Sequence, residues 1–110
     1  MYFYPLGIEL PFSCKIGGIR LVHQNGIVFN GGIVIGENCT IYYQVTIGMN
    51  ELSDKKGAPH IGSNVYIGCG AKLIGKIAIG DNCRIGANAV VVKDMEEGTM
   101  AICRMEIIGA

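Results

Sequence analysis

Tryptophan is absent from these 110 residues, prolines number three and histidines two, and the formal net charge is zero. Each shortage removes a class of protein. Without a surplus of basic residues, and with Lys55 and Lys56 as the one adjacent basic pair, the electrostatic footprint of a nucleic-acid binder is missing. The longest charge-free stretch, residues 21–36, is broken by His23, Gln24, Asn25 and Asn30, too polar for a membrane span. Residues 1–5 carry no basic segment followed by an apolar core, so no secretory signal is expected and the cytoplasm is the expected location. Five cysteines form an odd set without a CxxC pair, which argues for reduced thiols and against both a disulfide framework and a structural zinc site; no metal is expected.

Seventeen glycines, by contrast, imply a backbone that turns often, and the chain repeats with a period of six. Stepping from Phe29 gives Ile35, Ile41 and Ile47, and the phase resumes at Ile61 and runs through Ile67, Leu73, Ile79, Ile85 and Val91. In a chain that is half apolar, ten apolar residues in one chosen phase arise by chance roughly once in a thousand. A second apolar column, mostly of small residues, follows four positions later: Ile33, Cys39, Val45, Val65, Ala71, Ile77, Cys83 and Ala89. Both columns are expected to point inward. Counting back six from Phe29 lands on His23, which sets an imidazole in a slot otherwise held by large apolar residues.

Glycine often follows the large aliphatic directly, and Asn or Gly often stands three positions after it, as at Asn38, Asn64, Gly70, Asn82 and Asn88. These residues adopt positive φ at least cost, so each hexad reads as a short strand and a corner. A helix would lose about 1 kcal/mol at each interior glycine. Single corners carry no hairpin signal, so the strands must coil and pair in parallel with the next turn. The expectation is one all-β domain over residues 1–110, a parallel β-helix of three or four coils, with one extruded loop at residues 50–60 where the repeat stops. Loops on rigid scaffolds are frequent binding sites.

The hexad, together with Lys15-Ile16-Gly17, His23-Gln24-Asn25-Gly26-Ile27-Val28 and the loop at the same phase, resembles the hexapeptide-repeat acyltransferases, and among them the serine acetyltransferases and their sugar-acetylating relatives. The resemblance spans most of the chain and implies a left-handed coil, a homotrimer and acetyl-CoA as donor to a small-molecule hydroxyl. It implies His23 as the general base, because a hydroxyl is too weakly acidic to attack a thioester unaided. It implies Glu9 as the carboxylate that orients the imidazole. Coenzyme A would lie in a groove between subunits along Gly48, Met49, Cys69, Gly70 and Ala87, with Arg84 near its phosphates.

For the acceptor, the positions at which serine acetyltransferases hold their substrate's charges carry Val22, Gly57 and Ala58 in this chain, and His60 follows Pro59 rather than preceding it. That departure favours a sugar or polysaccharide-precursor hydroxyl, with Val22, Ala58 and His60 lining the acceptor space. L-Serine is the alternative acceptor, and a noncatalytic trimeric solenoid is a further one. The family's N-terminal helical domain has no counterpart in these residues, and Ile102-Cys103-Arg104-Met105 stands in place of an expected Gly-x-Pro-Ala; a compact and a truncated member both remain open.

Overall fold

The computed structural model describes residues 2–3, 8–11, 15–22, 26–29, 31–50 and 57–109, with side chains from Lys15 onward. Among them there are fifteen short strands and no helix. β1 (Tyr2–Phe3) precedes the coils. The first coil holds β2 (Ile8–Pro11), β3 (Lys15–Ile16) and β4 (Ile19–Leu21), and the second β5 (Ile27–Phe29), β6 (Val34–Ile35) and β7 (Cys39–Ile41). The third holds β8 (Thr46–Gly48), β9 (His60–Ile61) and β10 (Tyr66–Ile67), and the fourth β11 (Lys72–Ile74), β12 (Ala78–Ile79) and β13 (Arg84–Ile85). The fifth has β14 (Val90–Val91) and β15 (Met100–Ala101), with Met95 as a lone bridge to Ile79.

Every third strand stacks on the same face. One face is six-stranded (β1-β2-β5-β8-β11-β14), the next four-stranded (β3, β6, β9, β12), the last five-stranded (β4, β7, β10, β13, β15). All pairings between coils are parallel, and the exception is β1, which pairs antiparallel with β2. There are five coils where three or four were expected, because the first and last coils depart from strict period six and escaped the count. Parallel partners are 18 residues apart in the regular coils, as for Val28 and Thr46 or Tyr66 and Arg84, but 20 apart for Leu21 and Ile41 and 16 for Arg84 and Met100.

Those extra residues overturn the phase argument for His23. The inward slot on the first coil's five-stranded face is taken by Leu21, partner of Ile41 and packed against the core. The partners Thr40 and Tyr66 are 26 apart, eight more than in a regular coil, and residues 51–56 of the expected loop lie outside the described residues. From His60 the chain is back in register with the coils on either side, opposite Val34 and Ala78.

Both apolar columns are buried as expected, from Phe29 through Val91 and from Ile33 through Ala89, and no polar side chain is buried among the described residues. A triangular tube of this width has room only for such residues, each fully buried aliphatic contributing roughly 1.5–3 kcal/mol. Positive φ falls at Asn38, Asn64, Gly70, Asn82 and Asn88, and also at Gln44, whose side chain gives no such signal. The glycines that directly follow an aliphatic have a different job. A Cβ on Gly68 would lie 2.7 Å from Ala87 N, and one on Gly80 2.6 Å from Glu97 N, so these positions are glycine because the coil above passes too close.

Candidate functional site

The corner from the five-stranded to the six-stranded face collects three of the six expected donor residues. Cys69 and Gly70 follow β10, Ala87 and Asn88 follow β13, and Tyr43 and Gln44 occupy the same corner one coil below. The column is stitched by backbone bonds: Gly70 N–H donates to Tyr43 O at 3.0 Å and Asn88 N–H to Cys69 O at 2.9 Å. Val22 belongs to this corner, half-buried, with its N–H bonded to Ile41 O at 2.9 Å. Arg84 is exposed on the adjoining face, in register with Tyr66.

Side chains on this face interact across coils. The rings of Tyr42 and Tyr66 are 5.3 Å apart and tilted by 56°. The Tyr42 hydroxyl, hydrogen-bonded to Tyr66, pushes the Tyr66 pKa up, against the opposing pull of Arg84. A hydrogen bond with the Cys69 side chain likewise raises Tyr43. Neither contact was visible from the period, which assigns positions inward or outward but not to neighbours.

Gly48 and Met49 lie elsewhere, at the far edge of the six-stranded face: Gly48 is buried and pairs with Ile74, and Met49 is exposed. His60 is exposed on the four-stranded face, opposite Val34 and Ala78, while Ala58 is buried. The chain therefore gathers Val22, Cys69, Gly70, Arg84 and Ala87 but not Gly48, Met49, Ala58 or His60, which the width of a face holds away from them. Glu9 is opposite Val28 in the β2/β5 register. His23 lies outside the described residues.

Ala58 and His60 open onto a cleft of about 240 Å³ shared with Lys76, Ile77, Ala78 and Asp94. Lys76 and Asp94 were missed by the sequence reading, although a signal existed: each stands three positions after an inward aliphatic, where Asn or Gly is the rule. A larger hollow of about 410 Å³ lies at the last coil between Val90–Val92 and Met100–Ala101 and contains none of the expected residues. It is where the stack stops, and Lys93, Asp94, Glu96 and Thr99 also line it. No group of three metal-ligating side chains occurs among the described residues, and no helix there is long and apolar enough to cross a membrane.

Residues 58–93 match the family described as bacterial transferase hexapeptide (six repeats). The serine acetyltransferase of Helicobacter pylori strain J99 is 42% identical over 97 residues, covering 87% of this chain and 57% of that protein. Among crystal structures, serine acetyltransferase isoform 3 of Entamoeba histolytica in complex with cysteine superimposes with a TM-score of 0.83 at 32% identity, over 96% of this chain and 38% of that one. The Neisseria gonorrhoeae serine acetyltransferase in complex with serine gives 0.76 at 36% identity, over 84% and 38%. The coiled faces and these matches place the chain among the hexapeptide-repeat transferases, with their left-handed parallel β-helix. Within that class it is serine acetyltransferase-like, and it spans little more than half the length of the Helicobacter relative.

Proposed function

We propose that the chain transfers an acetyl group from acetyl-CoA to the hydroxyl of L-serine. The observation that carries this is the 42% identity with a serine acetyltransferase over 97 residues, a stretch that covers most of the coils. His23 takes the proton from the serine hydroxyl as its oxygen attacks the thioester carbonyl, then returns it to the departing CoA sulfur, so that O-acetylserine and CoA leave. Backbone amides hold the oxyanion of the tetrahedral intermediate. Glu9 orients the imidazole; its register opposite Val28 supports this, since Val28 closes the segment that begins with His23.

Cys69, Gly70 and Ala87 form the corner against which pantetheine runs, with Arg84 toward the phosphates; Gly48 and Met49 line the groove from a neighbouring copy. A homotrimer is the assembly in which the separated residues converge. The sugar hydroxyl takes second place, favoured by the uncharged Val22, Gly57 and Ala58.

CoA release from acetyl-CoA with L-serine and with a panel of sugars and nucleotide-sugars separates the readings. Turnover on serine is expected, and His23→Ala is expected to lower kcat by roughly 10²–10⁴-fold. Full activity in that variant sinks the assignment of the base, and turnover only on a sugar replaces the acceptor.

A further inference from the structure

Two charged residues interrupt the corner positions. Lys76 follows Leu73 by three and Asp94 follows Val91 by three, at places held by Asn or Gly in neighbouring hexads. At Lys76 the turn does not depend on the residue itself, because Gly75, at φ 100°, takes the left-handed conformation just before it. The two side chains come from adjacent coils, yet they line one cleft with His60 and Ala78, over a floor of the buried Ala58 and Ile77.

Gly57 makes the arrangement possible. A Cβ at that position would sit 3.0 Å from both Cβ and Cγ of Lys76 and 3.2 Å from its Cδ, so the lysine stem lies across the bare backbone where the chain re-enters the coil. Opposite, Oδ1 of Asp94 accepts the Ala78 N–H at 2.8 Å, which fixes the carboxylate at the wall. The cleft thus presents an ammonium and a positioned carboxylate above an apolar base.

We propose that this cleft is the acceptor subsite, in which Lys76 binds the carboxylate and Asp94 the ammonium of an α-amino-acid zwitterion. The inference rests on the serine reading above and names the groups that select the acceptor. The charges missing at Val22, Gly57 and Ala58 are supplied instead from the two succeeding coils. A zwitterion can pair with both charges, whereas a neutral sugar hydroxyl pairs with neither.

The test measures steady-state kinetics and equilibrium binding of L-serine for the wild type, Lys76→Met, Lys76→Arg and Asp94→Asn, the last of which keeps an oxygen for Ala78. Lys76→Met and Asp94→Asn are each expected to raise the KM and the Kd for L-serine about tenfold. The KM for acetyl-CoA stays as it was, and Lys76→Arg restores most of the loss. A folded Lys76→Met with unchanged KM and Kd for serine overturns this inference and leaves the serine reading standing. Absence of turnover in the wild type overturns the serine reading, while serine binding that weakens in Lys76→Met still supports the cleft. No serine binding to the wild type overturns the inference.

Discussion

Cys39 is fully within the tube, and its Sγ donates to Gly62 O at 3.2 Å. Burial pushes its pKa up, with nearby backbone hydrogen bonds pulling the other way. Because the thiolate is the nucleophile, Cys39 should resist iodoacetamide in the folded protein at mildly alkaline pH, while the exposed Cys103 is alkylated. Mass mapping of the alkylated cysteines checks this; native-state modification of Cys39 would contradict the burial. The pH dependence has a definite sign. A thiol whose folded pKa is raised favours folding fully below the ordinary thiol range, and that contribution declines as pH climbs through the range toward the folded value.

The coil as an element depends on a column of glycines that the sequence reading assigned to turning. The position three after the aliphatic makes the turn in most hexads, Gly75 doing so one residue earlier, whereas the position directly after the aliphatic admits the next coil. Gly68→Ala should therefore destabilise the fold by about 1–3 kcal/mol, since its Cβ meets backbone of Ala87, Gly86 and Ile85 rather than a movable side chain. Gly109→Ala, with nothing near it, serves as the control. Urea midpoints of the two variants compare them directly, and equal midpoints would refute the close-approach explanation.

For the whole molecule, the ends of the stack matter as much as its middle. β1 runs antiparallel along β2 and so covers one edge of the six-stranded face. An uncovered edge offers unpaired backbone groups to other chains. Deleting residues 1–3 should increase concentration-dependent self-association beyond the wild-type assembly, read by light scattering across a dilution series. An unchanged profile would mean that β1 does not guard that edge.

The period of six by itself determined the strand-and-corner pattern and both inward columns from Phe29 to Val91, because a solenoid core is a local property: each residue's direction follows from its place in the hexad. The tertiary structure decided what depends on stacking between coils. It gave the inward slot paired with Ile41 to Leu21, since partners there stand 20 residues apart rather than 18, which a strict count of six cannot see. It also split the candidate site between faces, and it brought Lys76 and Asp94, eighteen residues apart, into one cleft. Residues one coil apart become neighbours only through parallel register, and register is set by the pairing of whole turns rather than by any single hexad.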